Sequence, residues 1–328
     1  MRQTRRPAFL AIITLLAATA AYAGDASWIE PARYRLEYRV DLPSLAPPAK
    51  HLRLWVPYPA ENSDQIIESA QIESPWPHEL HVDGLNNRML FIEGSGVAAG
   101  PLVMHFVIER RPSTGVALAS VTAGSPNDPQ RILQPDRLIP LDGLIRQIAV
   151  EQSRGLDSDS QKVRAFYGYV VKSLRYNKDG TGWGRGDAIW ACTNKRGNCT
   201  DFHSLFIGMA RSQKIPARFL IGLPIPAENA GDIPGYHCWS EYWDRARGWV
   251  PLDASEAQKS GQTDAYFGTL PNDRIQFTLG RDLTLAPPQK GPPLNFFIYP
   301  YAEADEQIID KVPATFHFER LPGRSARQ

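Results

Sequence analysis

The sequence predicts an α+β protein in which a β-rich first part precedes a mixed second part. Three observations support this prediction. Apolar residues alternate with polar ones, the period of strands, from residue 30 to about residue 112. From Leu138 the apolar period becomes that of helices, and two short strands follow within residues 236–253.

Length and composition favour a globular protein with more than one core. The chain has 328 residues, enough for about two domains. Hydrophobic residues make up 43% and charged residues 22%, and the formal net charge is +1. This balance gives no reason to expect nucleic acid or an anionic membrane surface as a partner.

The first 23 residues have the pattern of a secretory signal peptide. Three arginines precede an apolar run over residues 8–20, and Ala21-Tyr22-Ala23 forms an A-x-A cleavage site. The apolar run is too short for a membrane span. We expect residues 1–23 to be removed after Ala23, which predicts a periplasmic or secreted protein without stable membrane insertion.

The β-rich part is predicted to be a β-sandwich over residues 24–112. In its first strand Tyr34, Leu36, Tyr38 and Val40 alternate with charged or polar neighbours. A segment rich in small residues, 113–134, is the predicted linker.

The second part, residues 135–256, is predicted to be the catalytic domain. The stretch IPLDGLIRQIAVEQSR and the stretch SDSQKVRAFYGYVVKSLRY have helical periodicity, and Ser158 or Asp159 can cap the second helix. Residues 257–328 are expected to form a C-terminal β extension packed on this core.

Cys199 begins a third amphipathic helix. Asn198 is a good N-cap, and the apolar stripe of the helix is Phe202, Leu205, Phe206, Met209 and Ala210. Cys199 falls on the same stripe, so we expect its sulfur at the rim of a buried face. A helix N-terminus favours an anion and lowers the pKa of a thiol, although a buried structural cysteine has the same pattern.

A histidine and an aspartate follow on the two predicted strands. His237, Trp239 and Glu241 share one face of the first strand, and Cys238 lies on the other face. If the turn between the strands holds an odd number of residues, His237 and Asp253 lie on one face as close neighbours. Cys199, His237 and Asp253 are therefore a candidate triad of nucleophile, base and orienting carboxylate.

These motifs resemble the transglutaminase-like superfamily in its bacterial exported branch. The resemblance covers roughly residues 140–256, through GNCTDFHSLF, KIPARFLIG, HCWSEYW and GWVPLD. It implies a papain-like core in which the thiol helix packs on an antiparallel sheet, with Cys199, His237 and Asp253 as nucleophile, base and orienter. Members include cross-linking transglutaminases, peptidases and amidases, and some that have lost catalysis.

Other residues are candidates for the pocket and the oxyanion donors. Beside the backbone N–H of Cys199, a donor could come from Trp183, Tyr176 or Trp190, and the use of a tryptophan by animal transglutaminases favours Trp183. Each of these aromatics could instead be core or groove wall. His203, one turn after Cys199, is an alternative base, but we favour a packing role for it. Trp239 and Glu241 are expected to shape the pocket.

The three cysteines leave at least one unpaired. A disulfide between Cys192 and Cys238 would protect Cys199, and free buried thiols are the alternative. Histidines are scattered without metal-ligand spacing, so no metal and no cofactor are expected.

The predicted function is thiol-dependent acyl transfer on peptide or amide substrates, including cell-wall peptides. Because water is the default acceptor, we favour hydrolysis by a peptidase or amidase over cross-linking. The alternatives are a protein-glutamine transglutaminase and a non-catalytic binding or assembly protein that uses the same groove.

Overall fold

The computed structural model describes residues 30–42, 49–95, 99–116 and 121–323, so the predicted signal peptide lies outside the described residues. The helices are α1 (Gly143–Gln152), α2 (Asp159–Ser173), α3 (Ala188–Asn194), α4 (Cys199–Ser212) and α5 (Ala254–Ser260), with a 3-10 helix at Pro129–Ile132. The strands are β1 (Ala32–Leu42), β2 (Leu52–Tyr58), β3 (Gln65–Glu73), β4 (Glu79–Val82), β5 (Arg88–Gly94), β6 (Gly100–Arg110), β7 (Arg175–Tyr176), β8 (Arg196–Gly197), β9 (Ala217–Pro224), β10 (Ala230–Asp232), β11 (His237–Asp244), β12 (Gly248–Leu252), β13 (Arg274–Leu279), β14 (Tyr301–Ala304), β15 (Gln307–Ile308) and β16 (Ala314–Leu321).

Two five-stranded antiparallel sheets contain the N-terminal strands. Their orders are β10-β16-β1-β6-β3 and β15-β14-β2-β5-β4. The predicted alternation in β1 is confirmed, since Tyr34, Leu36, Tyr38 and Val40 are all buried. Side chains of period two place one apolar face of each sheet against the core.

The C-terminal segment differs from the expectation that it packs on the core as an extension. Strand β16 pairs with β1, with Leu36 opposite Phe318, and β14 pairs with β2. Without β16, the backbone groups on one side of β1 would lack ladder partners. Strand β13, which pairs with β9, is the C-terminal strand that joins the core sheet. The sandwich therefore contains strands from both ends of the chain.

The core is a four-stranded antiparallel sheet, β12-β11-β9-β13, packed against helices. Helix α4 lies at its centre and contacts the other four helices as well as β9 and β11. Its side chains from Cys199 to Arg211 are all buried, so this helix has no solvent face. Burial of a phenylalanine such as Phe202 or Phe206 contributes about 2 kcal/mol each. The predicted α+β class, a papain-like core after a β-sandwich, is confirmed.

Helix α2 begins where the sequence predicts. At α2, Ser158 accepts a hydrogen bond from the backbone of Gln161, whose side chain bonds back to Ser158, forming a capping box. Within the described residues, no helix is long and apolar enough to cross a membrane.

Candidate active site

Cys199 is the first residue of α4, and a capping box fixes its position. Asn198 accepts a hydrogen bond from Thr200 N at 3.0 Å, and the carboxylate of Asp201 accepts one from Asn198 N at 2.9 Å. Gly197, with φ of 153°, lets that carboxylate approach, because a Cβ at this position would lie 2.4 Å from it. Cys199 is only 1% exposed, so its sulfur lies deeper than the rim that the sequence predicts.

The hairpin of β11 and β12 brings the histidine and the aspartate together. Its turn holds three residues, 245–247, which satisfies the odd-number condition, and Ser240 pairs with Leu252. Continued by one residue, this register puts Asp253 diagonally across from His237. The distance from His237 Nε2 to Asp253 Oδ2 is 2.6 Å.

Asp253 is held on both carboxylate oxygens. Its Oδ1 caps α5 by accepting from Ser255 N, Ser255 Oγ and Glu256 N at 2.9 to 3.1 Å. Its Oδ2 accepts from Arg274 Nη1 at 2.8 Å as well as from His237. Burial alone would raise the pKa of Asp253, but the charge and hydrogen bond of His237 hold it well below its usual range.

His237 and Cys199 also interact electrostatically, since each shifts the pKa of the other. Burial lowers the pKa of His237, but the charge and hydrogen bond of Asp253, together with Cys199, raise it to about 10. Burial raises the pKa of Cys199, but hydrogen bonds from Cys238 and His237 and the imidazolium charge bring it well below its usual range. The arrangement therefore favours a thiolate–imidazolium pair, the reactive form of a nucleophilic cysteine.

This geometry coincides with a match to a known family. Residues 146–254, which include all three side chains, match the transglutaminase-like superfamily. This segment is a transglutaminase-like core.

Three proteins are similar to this chain over most of its length. The crystal structure of a "putative cysteine protease" from Cytophaga hutchinsonii is similar with a TM-score of 0.61 at 15% identity, covering 91% of this chain and 93% of that chain. The periplasmic domain of TgpA from Pseudomonas aeruginosa aligns with a TM-score of 0.38 at 16% identity, covering 73% of this chain and 94% of that domain. A Haemophilus influenzae protein described as "uncharacterized protein" is 27% identical, covering 81% of this chain and 84% of the relative.

His203 lies inside the transglutaminase-like core rather than at an open rim. Its side chain is 0% exposed, and its Nδ1 lies 2.7 Å from the carbonyl oxygen of Cys199. Its Nε2 accepts from Ala254 N at 3.2 Å and lies 3.4 Å from Asp253 Oδ1. With both ring nitrogens engaged, His203 ties the first turn of α4 to the start of α5.

The three cysteines are free, so the structure contains no disulfide between Cys192 and Cys238. Cys238 lies on the strand face opposite that of His237, as expected, but this face packs against the first turn of α4. Its sulfur is 3.8 Å from Thr200 Oγ1 and 3.8 Å from His203 Nδ1. The sequence analysis placed Cys238 on the face opposite His237 but did not predict its contact with the first turn of α4.

The candidate oxyanion donors differ in their surroundings. Trp183 Nε1 already donates to the carbonyl oxygen of Gly180 at 3.0 Å. Trp190 packs closely against Gly182. A Cβ atom built on this glycine would lie only 2.5 Å from Trp190 Nε1. Burial and the negative charge of Cys199 raise the pKa of the Tyr176 hydroxyl, which indicates that Tyr176 lies near the nucleophile.

Tyr236 is a site residue that the sequence analysis missed. Its hydroxyl lies 3.1 Å from Asn198 Nδ2 and 3.2 Å from Thr200 Oγ1, at the N-terminus of α4. Burial and the charge of Cys199 raise its pKa. Its position directly before His237 is the sequence signal that could have identified it.

Trp239 and Glu241 follow His237 on β11, on the same face of the strand. The ring of Trp239 stacks near His237, with centroids 6.4 Å apart, and Glu241 pairs with Arg218 at 2.6 Å. Both line a cavity of about 410 Å³ between the sandwich and the core. Their side chains form part of the wall of this cavity.

Three potential metal ligands cluster at the triad. Donor atoms of His237, Asp253 and Glu256 lie within 4.8 Å of one another. Both carboxylates already have cationic partners, since Arg274 contacts Asp253 and Lys259 Nζ lies 2.5 Å from Glu256 Oε1. These ion pairs balance the charges of the two carboxylates, so the close approach of the three side chains does not require a metal ion.

Proposed function

We propose that this protein is a thiol-dependent acyl-transfer enzyme that hydrolyses peptide or amide bonds. The observation that carries the proposal is the 2.6 Å hydrogen bond between His237 and Asp253, together with the electrostatic coupling of His237 to the buried Cys199, in the segment that matches the transglutaminase-like superfamily. A buried thiolate beside an imidazolium serves nucleophilic catalysis, whereas a structural cysteine gains nothing from such a partner.

The proposed reaction begins with attack of the Cys199 thiolate on the carbonyl carbon of an amide. The C–S bond forms, and the C–N bond breaks as the imidazolium of His237 protonates the leaving amine. The neutral imidazole then takes a proton from water, whose oxygen attacks the thioester. The C–O bond forms, the C–S bond breaks, and the acid leaves as the Cys199 thiolate and the His237 imidazolium are restored. Asp253 keeps the ring oriented and stabilises its charged form throughout.

The negative oxygen of the tetrahedral intermediate requires hydrogen-bond donors. The backbone N–H of Cys199 is one candidate, since the first amides of a helix have no intrahelical partner. Tyr176 is the side-chain candidate that its surroundings favour, because Trp183 Nε1 is already bonded to Gly180 O.

Alkylation with iodoacetamide tests the nucleophile independently of any substrate. We expect Cys199 to react at mildly acidic pH, and His237→Gln to shift this reaction to the alkaline range of an ordinary thiol. Cys192→Ser is the matched control and should leave the profile unchanged. A wild-type profile equal to that of a model thiol would favour the binding or assembly alternative.

Substrate turnover separates hydrolysis from cross-linking. Wild type and Cys199→Ala are compared on a peptide-amide library that includes cell-wall peptides, with and without an added primary amine. Release of acid and amine by the wild type supports a peptidase or amidase, whereas incorporation of the amine supports a transglutaminase. The Cytophaga hutchinsonii structure, described as a "putative cysteine protease", agrees with the first outcome.

The proposed location is the periplasm or the exterior of the cell. The proposal is supported by the signal-peptide pattern of residues 1–23. Mass spectrometry of the protein from its natural host should find an N-terminus at Gly24, and an intact N-terminus in the cytoplasmic fraction would contradict it.

A further inference from the structure

A second thiol packs against the turn of α4 that begins with the candidate nucleophile. Cys238 is the second residue of β11, and its side chain is 0% exposed and packed against the first turn of α4. Its sulfur lies 3.8 Å from Thr200 Oγ1, on the residue that follows Cys199, and 3.8 Å from His203 Nδ1, one turn further along α4. Each of the two thiols also shifts the pKa of the other. The pair therefore comes from a strand and a helix that pack together.

The proposed acyl-transfer steps do not use the Cys238 thiol. The nucleophile, the proton carrier and the orienting carboxylate are all present without it, and any small apolar residue would fill its volume. A thiol next to a reactive thiolate adds one specific chemistry, which is capture of the oxidised sulfur as a disulfide.

We propose that Cys199 and Cys238 form a reversible disulfide under peroxide, which blocks the nucleophile and protects it from irreversible oxidation. The proposal rests on the reactive thiolate of the proposed function but not on the identity of its substrate. It assigns Cys238 as a resolving cysteine.

The chemistry takes two balanced steps. The Cys199 thiolate attacks one oxygen of hydrogen peroxide, so an S–O bond forms, the O–O bond breaks and hydroxide leaves, giving a sulfenic acid. The Cys238 sulfur then attacks the Cys199 sulfur. The S–S bond forms, the S–O bond breaks, and the hydroxyl group leaves as water with the Cys238 proton. A dithiol reverses the change by supplying two electrons and two protons.

The charge of the Cys199 thiolate keeps Cys238 protonated, and therefore unreactive, until Cys199 is oxidised. Burial and the negative charge of the Cys199 thiolate raise the pKa of Cys238 well above its usual range, so Cys238 remains a protonated thiol. Conversion of Cys199 to a neutral sulfenic acid removes that charge and eases deprotonation of Cys238. The attacking thiolate therefore forms after the first step.

The third cysteine provides an internal control. Cys192 belongs to α3 and lies 3.9 Å from Lys195 Nζ, away from the Cys199–Cys238 contact. A disulfide between Cys199 and Cys238 would therefore leave Cys192 as a free thiol.

Peroxide treatment of the reduced full chain, followed by non-reducing peptide mapping, tests the proposal. Cys199 and Cys238 fall in different tryptic peptides, because Lys214 and Arg218 lie between them. We expect these two peptides to become linked, and the number of thiols that can be alkylated after denaturation to fall from three to one. Cys192→Ser should form the same linkage. A linkage through Cys192, or sulfinic acid at Cys199 without any linkage, would overturn the proposal.

Cys238→Ser provides a second measurement. Here peroxide should produce a sulfenic acid that dimedone traps, and then irreversible oxidation, so that dithiothreitol restores Cys199 alkylation in the wild type but not in the variant. Equal recovery in both proteins would contradict a resolving role. Because the wild-type mapping needs neither turnover nor a variant, a linkage without hydrolysis would retain this inference and reject the proposed function. Hydrolysis without a linkage would retain the proposed function and reject this inference.

Discussion

Arg274 Nη1 lies 2.8 Å from Asp253 Oδ2, the same oxygen that His237 contacts from 2.6 Å. Arg274 is 3% exposed and Asp253 is 0% exposed, so this ion pair is shielded from water. The buried Asp253 carboxylate therefore pairs with two cations, the Arg274 guanidinium and the His237 imidazolium. Arg274 comes from β13, which lies outside the segment that matches the family.

Loss of Arg274 should destabilise the fold. Arg274→Met removes one of the two cations that face a fully buried carboxylate, and breaking a buried pair in this way costs about 3 kcal/mol. The free energy of unfolding in urea measures this loss. Arg274→Lys keeps the charge and should lose less than Arg274→Met. An Arg274→Met variant as stable as the wild type would show that His237 alone compensates Asp253.

The Cys199–His237 pair should make stability insensitive to pH over a defined window. Their reference pKa values are 9.0 and 6.5, whereas in the folded protein the pKa of His237 is about 10 and that of Cys199 lies well below 9.0. Between pH 6.5 and 9.0, the folded pair carries one proton on the imidazole and the unfolded pair carries one on the thiol, so the two slopes cancel. The pair's contribution falls below pH 6.5 and again as the pH rises from 9.0 through about 10.

Cys199→Ala tests this cancellation. Without the thiolate, the contribution of His237 is complete below pH 6.5 and is lost as the pH rises towards the folded pKa, by up to about 1.4 kcal/mol per pH unit. The stability difference between wild type and variant should therefore grow from pH 6.5 to 9.0 in urea unfolding. For Cys192→Ser the difference should stay constant. A constant difference for Cys199→Ala would show that the pair is uncharged.

Asp201 should contribute more to stability than its helix position alone would suggest. Its two carboxylate oxygens accept from the backbone N–H groups of Gly184, Gly186 and Asn198 at 2.7 to 3.0 Å. Asp201→Asn keeps one acceptor oxygen and turns the other into a donor, which should cost about 2 kcal/mol in thermal or urea unfolding. Asp159→Asn, at the exposed first turn of α2, is the matched control and should cost less than about 0.5 kcal/mol. Equal effects would contradict this role.

Gly197→Ala should disturb the start of α4. The new Cβ would meet the Asp201 carboxylate at 2.4 Å, in a backbone conformation that residues with a side chain rarely adopt. We expect destabilisation by about 2 kcal/mol or more and slower alkylation of Cys199. The control is Gly168→Ala within α2, where a Cβ has open space and alanine should stabilise the helix by up to about 1 kcal/mol. A Gly197→Ala variant with wild-type stability and alkylation would contradict the tight fit.

Tyr176→Phe tests the side-chain donor to the oxyanion. If its hydroxyl stabilises the transition state, kcat should fall about 100-fold while KM changes little. Trp183→Phe should have a smaller effect, because the indole N–H already bonds to the carbonyl of Gly180. Steady-state kinetics on the substrate found by the library screen measures both. The reverse order of effects would assign the role to Trp183.

Local sequence patterns were sufficient for much of the fold. The alternation in β1, the capping box at Ser158 and the apolar stripe of α4 each depend on residues a few positions apart, so the pattern carries the information. The triad candidates were also accessible to this reasoning, because a helix N-terminus and a short hairpin constrain where Cys199, His237 and Asp253 can lie.

Long-range packing was not accessible in the same way. The pairing of β16 with β1 joins residues nearly three hundred positions apart, and no local period states which edge a C-terminal strand will join. The same holds for Arg274 on Asp253 and for Tyr236 at the start of α4.

The sequence by itself determined the types of element, the chemistry of the three candidate catalytic side chains and the family they resemble. The tertiary structure decided which groups surround them, including Arg274 behind Asp253 and Cys238 against Cys199. The physical reason is that periodicity and capping act within a few residues. Contacts between separate elements depend on how all of their buried faces pack together.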